Sequence, residues 1–558
     1  MFRPKIVETL KKYSLRAFSK DAMAGVIVGI VALPLAIAFA IASGAAPENG
    51  IITAVVAGLI VSVMGGSRVQ IGGPTGAFVI IVYGIIHQYG YNGLLIATVM
   101  SGIILVIFGL AKFGAIIKYV PHSVVVGFTF GIAVLIFTGQ ISEFLGIGLT
   151  NLPPDFVDRL NAISQHLYAI NPYSVVITAG TIALVWVLTK INRLIPGSLI
   201  ALLLASAAVY FFKLPVETIG VRFGDIPNSF PAPGLPSFDY KTVRALIGPA
   251  FTIAILGAIE SLLSAVVADG MIGGKHRSNT ELIAQGLANV ASPLFGGMPA
   301  TGAIARTATN VKSGGRTPVA GIIHAVVLLL IMLFFGKLAA YIPLACLAGI
   351  LMLVAYHMSE WRTLVSLLKI SRGSAVTALV TVALTIFVDL TVAIKVGLIV
   401  AVMLFVRRMS IKTNISFVKA LEMEDFREDS LSDEEGFVKE QEFRKDLPKG
   451  SVMYKIDGPL FFGAVYKFRE AMAEIGKPPK VLIIEMQNVP VVDDSGIHAL
   501  RESFKRLRKY GTNFIITGIH AQRQHKLERG GLLEYVPKEN FCKTTQEGIE
   551  LARRLVSL

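Results

Sequence analysis

Gly72-Gly73-Pro74-Thr75-Gly76-Ala77-Phe78 and, about 225 residues later, Gly296-Gly297-Met298-Pro299-Ala300-Thr301-Gly302-Ala303-Ile304 follow one pattern: a glycine pair, a proline, then Thr-Gly-Ala at the head of a short apolar run. The two runs, 74–88 and 299–312, fall short of the roughly 17–25 residues a helix needs to cross a bilayer. A proline-started half-helix ending at membrane depth leaves backbone N–H groups free, and glycine lets a ligand approach the chain closely. Two such ends facing each other form a positive, donor-rich pocket without a full charge, which suits an anion. Broken helices at matching positions in two halves are the sequence mark of an inverted-repeat transporter.

The rest of the chain supplies those halves. Of 558 residues 54% are apolar and only 16% charged, against about 25% charged in soluble domains. Twelve longer apolar runs lie at 22–42, 50–64, 93–111, 121–140, 173–190, 195–212, 246–270, 278–294, 318–336, 339–357, 374–389 and 391–408. With the two short runs they make fourteen segments, so seven per half, and seven crossings invert the second half relative to the first. Residues 1–412 hold 29 Lys/Arg against 14 Asp/Glu, whereas residues 413–558 hold 23 of each. An excess confined to the apolar part is membrane topology charge, not the basic face of a nucleic-acid binder. With the N-terminus inside, the loops expected inside carry Arg68, Lys112 and Lys118, Lys190 and Arg193, Lys275 and Arg277, Lys312 and Arg316, and Arg362, Lys369 and Arg372. Both termini are then cytoplasmic, and residues 1–20, basic and without a secretory signal, form a cytoplasmic surface segment.

Ionisable groups inside spans are functional candidates. Glu260 lies deep in 246–270, where an acid in apolar surroundings can carry a proton or serve as a structural acid. Arg306, read as two turns into the second half-helix, would compensate an anion or pair with Glu260. Asp389 reads as a structural residue at a helix end, and Asp269, Lys275, His276 and Arg277 as topology or gating charges. His276 has no partner at metal-ligand spacing, and Cys346 and Cys542 imply no redox framework. Walker, HExxH and GxSxG motifs do not occur, which excludes the matching enzyme classes and argues against an ATP-driven pump. No cofactor is expected beyond a coupling ion.

After about residue 410 the texture changes. A charged stretch, Glu422–Lys449, holds Asp433-Glu434-Glu435 and includes a linker; residues 410–450 read as charged linker and the start of the domain that follows. A small α/β domain, 451–558, follows, with strands expected at 452–456, 481–485 and 513–517 and helices at 466–475, 495–510, 521–529 and 545–556.

These residues resemble the sulfate permease (SulP) family, which includes solute carrier family 26. The resemblance is carried by Asp21–Val26 with Leu33-Pro34-Leu35-Ala36, Gly72–Thr75, Glu260-Ser261-Leu262-Leu263, Asn279–Leu282 with Gln285–Asn289, and Ile304-Ala305-Arg306-Thr307. In texture the chain is similar to the bacterial branch that includes a dicarboxylic acid uptake protein. The resemblance implies a core domain moving against a gate domain across residues 21–409, a homodimer and a bacterial inner-membrane location. It implies an anion site formed by Phe39, by Thr75, Gly76 and Ala77, and by Ala303, Ile304, Ala305 and Arg306. Ala305 replaces a serine that donates a hydroxyl in some relatives. Glu260 matches the position associated with proton coupling; a sodium-coupled bicarbonate relative has aspartate there, so H+ and Na+ both stay open. The C-terminal domain resembles a STAS domain through Asp493-Asp494-Ser495-Gly496-Ile497; Ser495 matches a phosphorylated serine of anti-sigma-factor antagonists, although a helix-capping role is open too, and a cytoplasmic regulator is a conceivable partner. The expected function is proton-coupled symport of a dicarboxylate such as fumarate or succinate by an elevator-like movement, with sulfate, sodium-coupled bicarbonate or an anion channel as alternatives. A nucleobase transporter would carry an acid on the second broken helix, where this chain has Arg306 and none.

Overall fold

The computed structural model describes residues 2–11, 13–115, 120–149, 152–191, 196–224, 227–419, 446–473, 475 and 477–557. The charged stretch up to residue 445 and the loop charges Lys118, Arg193 and Asp225 lie outside the described residues. The chain divides into two compact units, Met1–Ala401 and Val402–Leu558.

Among the described residues, thirteen helices account for the fourteen segments. They are α1 (Leu15–Ala42), α2 (Pro47–Met64), α3 (Gly76–Leu110), α4 (His122–Gly139), α5 (Pro172–Ile191), α6 (Gly197–Phe212), α7 (Tyr240–Ile272), α8 (Ser278–Leu294), α9 (Ile304–Lys312), α10 (Pro318–Phe335), α11 (Leu344–Met358), α12 (Arg372–Phe387) and α13 (Leu390–Lys412). Their starts follow local chemistry. The Ser14 side chain accepts from Ala17 N and that of Asp239 from Thr242 N, and Pro47 and Pro318 occupy first-turn positions where a missing N–H costs nothing. The runs expected at 74–88 and 93–111 are two arms of α3, broken at Gly90, whose φ of 70° lies outside the helical region.

The half-helices begin later than their prolines suggested. Residues Gly72–Gly73 (β1) and Thr301–Gly302 (β2) are extended and pair antiparallel, Gly72 opposite Gly302 and Gly73 opposite Thr301. Helix starts only at Gly76 and at Ile304, so Arg306 sits in the first turn of α9 rather than two turns in. The crossing satisfies backbone groups that a bilayer would leave unpaired. Gly73 is required there: its φ is +153°, and a Cβ would stand 2.5 Å from Arg306 Nη1.

Two bundles make up the first unit. One packs α1, α2, α3, α7, α8, α9 and α10 on one another; the other packs α4, α5, α6, α11 and α12, and α11 and α6 also touch α1. The first bundle closes tightly where α3 crosses α8. A Cβ on Gly102 would lie 2.6 Å from Gly286 O, and one on Gly286 would lie 2.6 Å from Gly102 O. This reciprocal contact brings the two backbones together as small residues do in membrane bundles.

The second unit holds a five-stranded sheet in the order β3 (Asn414–Lys419), β4 (Ser451–Asp457), β5 (Val481–Glu485), β6 (Asn513–Thr517), β7 (Phe541–Cys542). Only the β3–β4 pairing is antiparallel. The central strands and the four helices α14 (Val465–Ala473), α15 (Asp494–Arg508), α16 (Ala521–Arg529) and α17 (Thr545–Ser557) stand within two residues of expectation. Neither edge strand was expected: β3 falls inside 410–450, read as charged linker and the start of this domain, and β7 is two residues long. In β5, Leu482 and Ile484 join one apolar core while Val481 and Ile483 join the other, so the sheet is buried on both faces.

Candidate functional site

The β1–β2 crossing organises the site. Because the two strands run antiparallel, the helices that follow them, α3 and α9, leave the crossing in opposite directions with their N-termini near it. The first N–H groups of each helix have no partner within the helix. Arg306, third residue of α9, is 2% exposed and reaches back across the crossing: its Nη2 donates to Pro74 O at 2.7 Å, one residue before the N-cap Thr75 of α3. A full positive charge therefore lies between two helix N-termini. Among the described residues its Nε and Nη1 have no acceptor, and the buried Thr75 hydroxyl, which does not cap its own helix, has no partner either. The expected pairing of Arg306 with Glu260 is not formed; the fixed bond to Pro74 O turns the guanidinium toward the crossing instead. A buried charge without a counter-charge is costly, and the unused donors fit a bound oxyanion.

The other expected residues gather around these donors. A Cβ on Gly76 would meet Phe39 Cε1 at 3.3 Å, Met358 Sδ at 3.3 Å and Ile136 Cδ1 at 3.4 Å. Phe39, 5% exposed near the end of α1, thus covers the start of α3 together with Ile136 of α4 and Met358 of α11. Ala77 and Ala303 are buried, Ile304 is half-buried, and Ala305 is exposed, so the position that would hold a hydroxyl in some relatives looks into open space. Glu260 on α7 is half-buried, and its carboxylate forms no hydrogen bond or ion pair among the described residues. The exposed Glu360, at the start of helix Trp361–Ile370, acts on it electrostatically.

Sequence reasoning passed over Ile136 and Met358, which are ordinary apolar residues with no local signal. It also passed over the framework. Asn289 imitates a strand, its Nδ2 donating to Ala300 O and its Oδ1 accepting from Ala300 N, both at 2.8 Å. Ser261 Oγ lies 2.7 Å from Thr301 Oγ1, and Gly302 N donates to it. Glu281 accepts from Gly66 N at 2.8 Å and Ser67 N at 3.0 Å. Several of the residues that carry the family resemblance therefore hold the crossing rather than touch a ligand. His324, fully buried near Gly58, has no partner for either ring nitrogen.

Residues 18–381 match the sulfate permease family and residues 442–548 the STAS domain. The chain belongs to the sulfate permease family. It is 43% identical over 533 residues to a putative sulfate transporter, YvdB, of Bacillus subtilis, covering 95% of this chain and 97% of that one. It is 31% identical over 561 residues to the bicarbonate transporter BicA of Picosynechococcus, covering 98% and 96%. Its fold matches a murine solute carrier 26 family member A9 anion transporter with a TM-score of 0.87 at 19% identity, over 99% of this chain and 94% of that one. The chain is thus a multi-pass anion transporter and not an enzyme, with seven-plus-seven segments and a C-terminal STAS domain.

Family membership leaves the remaining candidates to geometry. Asp389 caps α13, accepting from Thr391 N at 2.6 Å and Val392 N at 3.2 Å, as expected of a structural acid. Asp269 and His276 pair at 2.7 Å. Ser495 is exposed in the first turn of α15, whose cap is Asp493, accepting from Gly496 N at 2.8 Å; the capping alternative for Ser495 thus falls to Asp493.

Proposed function

We propose that the chain is a secondary active transporter that carries a compact, single-centre oxyanion, sulfate or bicarbonate, with a coupling ion on Glu260. One observation carries the reading: Arg306 is buried between two helix N-termini, and among the described residues two of its three nitrogens are unpartnered and no carboxylate pairs with it. Among the described residues the buried cations are Lys5, Arg159 and Arg306, and only Arg306 lies at the crossing. A dicarboxylate such as fumarate or succinate would bring a second carboxylate with no second cation to receive it, so it ranks behind the single-centre anions. The cover of Phe39, Ile136 and Met358 over Gly76 favours a small ligand for the same reason.

In this reading a proton rides on Glu260, with sodium as the alternative, and the bundle containing α1–α3 and α7–α10 moves as a unit against the other in an elevator-like exchange of access. The protein works as a homodimer in the bacterial inner membrane with both termini in the cytoplasm. Its STAS domain tunes turnover, and Ser495 is the point at which a cytoplasmic regulator would act. The test is uptake into liposomes by the purified full chain, with sulfate, bicarbonate, fumarate and succinate, each with and without a proton or a sodium gradient. Accumulation of a single-centre anion driven by one of the gradients supports the reading. Preference for a dicarboxylate overturns the substrate assignment, and voltage-driven current indifferent to both gradients makes the chain a channel.

A further inference from the structure

Where α1 and α4 end, the first unit holds a cavity of about 390 Å³ with a largely apolar wall, into which Tyr83, Gln140, Glu143, Arg159 and Arg222 bring polar groups. Ile136, whose Cδ1 helps cover Gly76, lines it too, so the cavity lies directly over the lid of the candidate site. The loop charges assign this end to the outer face.

Arg159, on the short helix Phe156–Gln165, is 6% exposed. Its Nε donates to Pro153 O at 3.0 Å and its Nη2 to Pro154 O at 3.3 Å, while the guanidinium lies 5.3 Å from the centre of the Tyr83 ring. These contacts fix its position; among the described residues it makes no ion pair, and the nearby Asp155 carboxylate acts on it only at longer range. Burial pushes its pKa below the ordinary arginine value, with Tyr83 and Asp155 opposing that shift. Among the described residues its Nη1 forms no hydrogen bond, and it stands 3.2 Å from where a Cβ of Gly139 would be, in the wall of the same cavity. Arg222 differs: it is held between two carboxylates, Glu143 at 2.6 Å and Glu217 at 2.5 Å, and so offers the cavity no free positive charge. A neighbouring cavity of about 430 Å³, on the other side of Tyr83 and Arg159, is lined by Asp155, Asp158 and Asp389 and would repel an anion.

We propose that the cavity between Arg159 and Arg222 is an outer docking site, in which a small oxyanion rests on Arg159 Nη1 before passing Ile136 and Phe39 to Arg306. The proposal rests on the reading of Arg306 as the transport site and adds a separate residue, on a different bundle, that sets affinity from one side only. The experiment compares full-length wild type, Arg159→Gln and Arg159→Lys, using labelled sulfate and bicarbonate. Intact cells report the outer-face KM and everted membrane vesicles the inner-face KM. Loss of one charge-assisted hydrogen bond is expected to raise the outer-face KM about tenfold in Arg159→Gln, with the inner-face KM unchanged. Arg159→Lys keeps the charge and should recover most of the loss. An unchanged outer-face KM, an equal rise on both faces, or equal impairment in the Gln and Lys variants overturns the proposal; the last pattern assigns Arg159 to holding the Pro153–Pro154 loop. Wild type that moves neither anion overturns the transport reading, and this proposal with it, whereas failure confined to the Arg159 variants leaves that reading standing.

Discussion

Replacing Arg306 separates a substrate role from a structural one, because its two ends do different work. Nη2 holds Pro74 O beside the N-terminus of α3, and Nε and Nη1 are free. In Arg306→Ala the bond to Pro74 O disappears and a buried carbonyl is left unpaired, a cost of about 1–3 kcal/mol in stability. The bond to the anion disappears as well. A hydrogen bond to a charged group contributes about 1.5–3 kcal/mol, so affinity should fall roughly ten- to hundredfold. The first effect is read as a lower melting temperature of the detergent-purified protein, the second as a larger Kd by calorimetry with sulfate and bicarbonate. Arg306→Lys separates them further. A single ammonium cannot serve Pro74 O and an anion with the geometry of a planar fork, so this variant should keep charge attraction, bind at intermediate strength and melt below wild type. If folded, monodisperse Arg306→Ala binds the anion with unchanged Kd, the guanidinium only braces the crossing, and the site lies elsewhere.

The other predictions concern coupling, packing and the soluble domain. Glu260→Gln imitates the protonated acid and cannot release its proton; gradient-driven accumulation should vanish while anion exchange persists, and normal pH-driven uptake removes Glu260 from coupling. Gly286→Ala places a Cβ 2.6 Å from Gly102 O, and overpacking of this kind costs about 1–3 kcal/mol; a melting temperature equal to wild type would contradict the close approach of α3 and α8. A chain truncated after Lys412 keeps the crossing but strips the end of α13 of Gly463 O, which accepts from Ser410 Oγ, and of Lys467, whose Nζ donates to Ile411 O at 3.0 Å. It should bind the anion with near-normal affinity, turn over more slowly and give a poorer yield; folded truncated protein that binds nothing would make the pocket dependent on the STAS domain.

The fold was legible because spans and half-helices are written in composition. Apolar runs, Gly-Gly-Pro punctuation and loop lysines and arginines are local, and each segment they mark is present. What escaped is non-local. Nothing near Pro299 says that Thr301 and Gly302 pair with residues 72–73; that pairing needs both halves folded, and it delays α9 until Ile304. The same delay brings Arg306 into the first turn, where it reaches Pro74 O instead of Glu260. Gly76 was legible as a candidate through the repeated motif and Arg306 as a charge inside a span, whereas Phe39 was reached only through the family resemblance. Ile136 and Met358 were not, since an apolar residue on a membrane helix carries no mark of which surface it covers. Strand β3 was concealed by its position between the last span and a charged stretch, although Asn414–Lys419 pairs along the whole of β4 from Val452 to Asp457.

The separation of Arg306 from Glu260 bears on how the proposed coupling would work. Both groups lie in the same bundle, one cation and one acid, with no bond between them. Empty and ionised, the pair sums to zero charge. A monovalent anion alone makes the sum negative and a proton alone makes it positive; together they return it to zero. Carrying one net charge through the membrane field costs about 2.3 kcal/mol per 100 mV, and exposing it to low dielectric costs more. The empty and doubly loaded forms therefore move more readily than either half-loaded form, and that difference is what obligatory coupling requires. A direct Arg306–Glu260 ion pair would weaken the effect, because anion and proton would first have to break it. For sulfate one proton leaves a residual negative charge, so the same pair would carry bicarbonate silently and sulfate with current.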